Sequence, residues 1–205
     1  CQRPANNKPV NIVRNEVQIA YNSCGDADTT LFFVHGWCIT KEYWDHQVKY
    51  FCSSYKVVAI DLPGFGLSGK KRSAWHFDEY TEDIKAAIEQ LHLKNVILIG
   101  HSMSGDIILN ASNKYPDLLA GIVGIDNLHE PGGPMSEEQQ KETTALFDML
   151  STNFDSTVTK YMTGSLFHPS TDSAVVNRVM NSVYTGDSSI AISVLRSLMD
   201  VSQQE

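Results

Sequence analysis

An α/β fold, in which a mostly parallel sheet is flanked by helices and followed by a helical cap, is predicted by three features of the sequence. Short apolar runs alternate with amphipathic helical segments as far as Asp126, the runs give way to turns containing Gly or Pro, and from Pro131 to Glu205 only helical periodicity remains. Runs of this length suit strands buried on both faces, and their alternation with helices implies right-handed βαβ units. The chain divides accordingly into a polar tail at 1–9, a core at 10–130 and a helical cap at 131–205.

Taken in order, Asn11 to Ile19 alternates apolar and polar residues and breaks at Asn15-Glu16, which predicts a short antiparallel hairpin at a sheet edge. Thr29 to Val34 is an apolar run stopped by His35-Gly36, a buried strand by its brevity. From Thr40 the period becomes helical. Tyr43, Trp44, Val48 and Phe51 share a face, and Thr40 is placed to accept an orphan amide proton as N-cap. Tyr55 to Asp61 reads as a second buried strand ending in a Pro-Gly loop. Phe77 to Leu91 spaces Tyr80, Ile84, Ala87, Ile88 and Leu91 as one helix face, with Asp78, Glu79 and Glu82 loading the positive end of the dipole. Asn95 to Ile99 gives a third strand, Met103 to Tyr115 a helix stopped near Pro116, and Leu119 to Ile125 a fourth strand. The cap shows helical spacing at Leu146, Phe147, Met149 and Leu150 and at Val194, Leu195, Leu198 and Met199, while Val201 to Glu205 reads as an unfinished connection.

A chain of 205 residues is long enough to bury a core without a staple, since a domain of this size removes roughly 70% or more of its unfolded surface from water. The net charge of -8 and the absence of a basic run longer than Lys70-Lys71-Arg72 argue against a nucleic-acid-binding face. No apolar stretch approaches the roughly 20 residues that span a bilayer. Cys1, Cys24, Cys38 and Cys52 show neither a C-x-x-C pair nor a histidine pattern, so no metal is expected, and their redox state stays open. Cys1 followed by the polar stretch Gln2 to Pro9 looks like the start of a mature bacterial lipoprotein, with a lipid anchor on that cysteine. The alternative is an arbitrary sequence boundary, so a cell-envelope and a cytoplasmic location both stand.

The most informative stretch is Gly100-His101-Ser102-Met103-Ser104-Gly105, between a buried strand and an amphipathic helix. A serine on so sharp a turn projects its hydroxyl above the carboxyl edge of the sheet, and small neighbours let strand and helix approach. Here those neighbours are Gly100 and Ser104, the latter where the pattern usually has Gly. The helix that starts here points unpaired amides at the turn, so the amide of Met103 is expected to face an oxyanion. A second donor is expected from His35-Gly36-Trp37, where Gly36 permits a tight bend and the Trp37 amide turns inward.

His35-Gly36-Trp37, Asp61-Leu62-Pro63-Gly64-Phe65-Gly66-Leu67-Ser68 and Gly100-His101-Ser102-Met103-Ser104 together resemble the α/β-hydrolases, in their esterase-like or haloperoxidase-like branch, over residues 10–200. The resemblance implies a serine hydrolase that cleaves an ester or related acyl bond of a small molecule through an acyl-enzyme on Ser102, without a cofactor. Ser102 separates the chain from dehalogenases and epoxide hydrolases, which resemble it but use aspartate as nucleophile. A non-catalytic ligand-binding or receptor-like protein on the same fold is the alternative. Gly64-Phe65-Gly66-Leu67-Ser68-Gly69 also fits the dinucleotide-binding spacing, but Lys70 to Trp75 follows it where a packed helix should begin.

The resemblance further implies an acid and a histidine after Ser102, in that order. Asp126 ends the fourth strand, where some relatives with displaced acids place theirs; the plainer role is a carboxylate capping the next segment. Asp61 is expected to hold the glycine loop. His35 and His101 belong to the oxyanion loop and the serine turn, His46, His76 and His92 precede the nucleophile on helices or their approaches, and neither His129 nor His168 follows a late strand. The base is therefore expected beyond residue 205, on a missing segment or a second chain. A sheet left short would expose a strand edge through which two copies could pair.

Overall fold

The computed structural model describes residues 11–127 and 135–201. Cys1, the rest of the polar tail and His129 lie outside them. The chain opens with β1 (Ile12–Arg14) and β2 (Val17–Ile19), paired antiparallel through a turn at Asn15 and Glu16, both with positive φ. This hairpin is where the sequence places it, but it is not an edge of the main sheet. It forms a separate ribbon that docks on a later helix, where the Val13 amide and carbonyl are both bonded by the Gln90 side chain.

The main sheet contains β3 (Tyr21–Cys24), β4 (Thr30–Val34), β5 (Lys56–Ile60), β6 (Val96–His101) and β7 (Leu119–Ile125), in the order β3-β5-β4-β6-β7. β3 runs antiparallel at one edge and the other pairings are parallel. Between the strands lie α1 (Asp45–Phe51), α2 (Phe77–Gln90) and α3 (Ser104–Lys114). Period-2 alternation sorts the strand side chains. Phe32, Val34, Val58, Ile60 and Leu98 point into the core shared with α2 and α3, whereas Leu31, Phe33, Val57 and Ala59 pack with Trp44 and Val48 on the α1 side. A disulfide between Cys24 and Cys52, with Cα atoms 5.6 Å apart, ties edge strand β3 to the end of α1.

The segment entering α1 differs from the sequence reading. Lys41–Trp44 is a 3₁₀ turn, and Thr40, although extended as an N-cap should be, donates its hydroxyl to the Glu42 carboxylate and caps no amide. A carboxylate two residues on is a stronger acceptor for the hydroxyl than any local carbonyl.

Past residue 134 the chain is helical: α4 (Glu137–Thr152), α5 (Phe154–Tyr161), a π-helical turn at Met162–Leu166, α6 (Ser173–Thr185) and α7 (Ser188–Val201). The start of α4 is a capping box, with Ser136 accepting from the Gln139 amide and the Gln139 side chain accepting from the Ser136 amide. Phe147, Leu150, Val158, Val179, Met180 and Val183 form a second hydrophobic core within this layer. Leu146, Phe147, Met149 and Leu150 lie on α4 as their helical spacing predicts, with Met149 on its exposed side, whereas Val201, read as the start of an unfinished connection, continues α7 and residues 202–205 lie outside the described residues. No helix among the described residues is long and apolar enough to cross a membrane.

Candidate active site

Ser102 lies between the end of β6 and the start of α3 with φ +52°, a left-handed conformation uncommon for a residue with a Cβ. Two backbone bonds hold it there: its amide donates to the Ile125 carbonyl at 3.0 Å, and its carbonyl accepts from Gly105 at 2.8 Å. Its hydroxyl has no hydrogen-bond partner among the described residues. The turn is tight because Gly100 lets α3 in; a Cβ on that residue would stand 2.5 Å from the Ser104 carbonyl oxygen. Met103 is buried and already helical (φ -48°, ψ -28°), so its amide lies at the unpaired N-terminus of α3.

Ser104, the departure from the usual glycine, is fully buried, and its hydroxyl donates to the His35 carbonyl. That bond links α3 to the loop that follows β4. The imidazole of His35 extends the network. Its Nε2 accepts from the Leu62 amide at 3.0 Å, which leaves the proton on Nδ1 to be donated to the Gly36 carbonyl at 2.8 Å. Burial holds the His35 pKa below its ordinary value, against the Gly36 bond and the charges of Asp61 and Glu42, and keeps the ring neutral.

Gly36 is required for space and not for a left-handed bend, since a Cβ there would lie 2.7 Å from Nδ1 of His101. The left-handed residue of this loop is Cys38, at φ +59°. His101 stacks on Tyr43 with ring centroids 5.0 Å apart, and its buried Nδ1 has no partner. Burial lowers its pKa, while the charge of Asp126 raises it.

Asp61 organises the far side of the loop. Its carboxylate accepts from the Lys41 amide (2.8 Å), the Lys41 ammonium (2.8 Å) and the Leu67 amide (2.9 Å), and its carbonyl accepts from Ser68 Oγ. The glycine-loop role expected for Asp61 is thus observed. The buried partner Lys41 gives no sign of itself in the sequence. Burial pulls the Lys41 pKa down, but bonds to Asp61 and Glu42 outweigh it and hold the ammonium above its ordinary range. The Gly64–Gly69 stretch closes on itself, the Gly64 amide donating to the Gly69 carbonyl, and α2 begins only at Phe77. No helix end therefore faces it as a dinucleotide cradle needs.

The alpha/beta hydrolase fold profile matches residues 29–166, which span these strands, turns and loops. The chain belongs to the α/β-hydrolase family. It is 31% identical over 106 residues to a bifunctional esterase/perhydrolase of Acinetobacter calcoaceticus, a match taking in 51% of this chain and 38% of that protein. It is 34% identical over 99 residues to a non-heme chloroperoxidase of Burkholderia pyrrocinia, taking in 47% and 36%. The chain thus spans under two fifths of these curated relatives. A thermophilic esterase from Thermogutta terrifontis superposes with a TM-score of 0.78 at 19% identity, covering 92% of this chain and 70% of that one, a likeness of fold.

Within this α/β-hydrolase the other candidates are scattered. Asp126 ends β7 at φ +52°, exposed, with its charge felt at His101. Asn127, overlooked in the sequence, donates from Nδ2 to the Gly100 carbonyl at 2.8 Å and so ties the end of β7 to the serine turn, while its buried Oδ1 has no partner. His46, His76, His92 and His168 are exposed. His76 faces Ser197 at 3.4 Å and His168 bonds Ser170, and no described histidine bonds to Ser102. Two clefts open at the cap, one lined by Cys38, Phe65, Phe154 and Val183 and the other by Asn153, Ser188 and Arg196. Neither is lined by Ser102 or Trp37. Among the described residues, no three His, Cys, Asp or Glu side chains gather as a metal site.

Proposed function

We propose that the protein is a serine hydrolase that cleaves an ester or related acyl bond of a small molecule through an acyl-enzyme on Ser102. The observation that carries this reading is the left-handed backbone of Ser102, which presents an unpartnered hydroxyl beside the free end of α3. In the reaction, Ser102 Oγ bonds to the acyl carbon as its proton passes to a histidine base outside the described residues. The carbonyl oxygen becomes an oxyanion that accepts from the amides of Met103 and Trp37, each worth about 3 kcal/mol by the usual cost of removing one donor. The alcohol leaves with the proton, and water then releases the acid. Asp126 is the candidate acid for orienting that base, and unchanged turnover in Asp126→Asn removes it from the role. The names of the esterase/perhydrolase and esterase relatives agree with acyl chemistry. The Cys24–Cys52 disulfide favours an oxidising compartment over the cytoplasm.

A fluorophosphonate probe applied to the whole protein tests this reading. It is expected to modify Ser102, with loss of labelling in Ser102→Ala. A protein that binds a small ligand yet leaves the probe unreacted is instead a receptor on the same fold.

A further inference from the structure

The three residues that follow Gly36 belong structurally to the cap. Trp37, Cys38 and Ile39 make no backbone hydrogen bond among the described residues, whereas the chain is firmly held on either side of them, by the His35 network before and by the Lys41–Asp61 bonds after. The hydrogen bond these three residues do make is to the cap: the Trp37 indole donates to the Ala191 carbonyl in α7 at 2.8 Å. The Trp37 ring also meets Phe154 of α5 edge-on at 6.1 Å, and the side chains of Cys38 and Ile39 are buried in the same hydrophobic cluster as Phe147, Leu150, Val183 and Ala191. Cys38 holds a left-handed backbone, a conformation that persists only where its surroundings impose it.

From this we infer that the cap positions the oxyanion hole, with the Trp37 side chain as the positioning residue: its anchor on α7 sets the direction of the Trp37 amide. The inference rests on the Ser102 reading above. Its physical content is that a donor aimed at a developing charge must be fixed before the reaction begins, or reorienting it costs part of the stabilisation it gives. A core segment would ordinarily be fixed by its own hydrogen bonds. Here the fixing is delegated to helices that form a hydrophobic core of their own, so the cap's position and the oxyanion donor change together.

The test uses Trp37→Phe, which keeps an aromatic side chain but removes the indole N–H that donates to Ala191, and Ile39→Ala, which trims the loop's contribution to the cap core. Both are made in the whole enzyme. Each is expected to lower kcat about tenfold while KM moves by less than about twofold, as for loss of an interaction made in the transition state. Affinity for an alkylboronic acid, which presents a tetrahedral oxyanion, should fall in step. A crystal structure of each variant gives a readout that does not depend on catalysis: the backbone at 37–39 should shift from its parent position, while β6 superposes on the parent and confirms that the core is folded. A parent-like 37–39 backbone together with parent-like boronate affinity overturns the inference. A parent that no fluorophosphonate labels at Ser102 instead overturns the reading on which it rests, and the variant structures still decide whether cap and loop are coupled.

Discussion

A left-handed backbone at a residue with a Cβ costs about 1–3 kcal/mol, and around Ser102 that strain is countered by bonds to Ile125 and Gly105. His35 has a comparable structural role, because Nδ1 donates to Gly36 within its own loop, Nε2 accepts from Leu62 just past β5, and its carbonyl accepts from Ser104 of α3. Its protonation sets a pH dependence. The unfolded chain takes up a proton on this ring below about 6.5, which the buried ring refuses, so the unfolded state binds more protons there. Stability is therefore full above about pH 6.5 and declines below it toward the lowered folded value, at up to about 1.4 kcal/mol per pH unit for each such histidine. His101 acts in the same direction. Urea unfolding at pH 7.5 and 5.5 should show this loss, and a smaller one in His35→Gln; equal slopes would contradict the assignment. At this scale the sequence was readable where a residue's role follows from its neighbours in the chain, as for Ser102 on its turn and Asp61 before its glycines. It was silent on Lys41, Asn127 and the hydroxyl of Ser104, whose partners lie 20, 27 and 69 residues away.

Among the elements, the loop from β4 to α1 is held from outside more than from within. Lys41, at 3% exposure, neutralises the fully buried Asp61 and ties the loop's far end to the glycine turn. Replacing Lys41 by Met leaves a buried carboxylate without its cation, and a loss of about 3–5 kcal/mol is expected in urea unfolding. A loss under 1 kcal/mol would mean that Asp61 is satisfied by amides alone. Apolar periodicity located β4, β5, β6 and α2 because each buries a face in the core, and it located β7 by composition although that strand is only partly covered. It missed β3, whose residues Tyr-Asn-Ser-Cys are half-exposed and mostly polar, as an antiparallel edge strand can be. It also assigned the N-terminal hairpin to the sheet, since alternation reports that one face is buried and not what covers it.

At the scale of the molecule, β7 is the outer strand opposite β3 among the described residues, and Val123 and Ile125 on it are 44% and 39% exposed. Bare edges with apolar side chains favour pairing between chains. Residues 1–205 are expected to sediment as a dimer across the micromolar range and Val123→Lys as a monomer; a monomeric parent contradicts edge pairing. The base that would complete the triad was never legible, because no described histidine bonds to Ser102 and His129 lies outside the described residues. The central claim is that Ser102 attacks beside two inward-facing amides. A crystal structure of the whole protein after reaction with a fluorophosphonate tests it most directly. The phosphoryl oxygen should lie about 2.7–3.1 Å from the Met103 and Trp37 nitrogens. An adduct on another residue, or a phosphoryl oxygen turned to solvent, would contradict it.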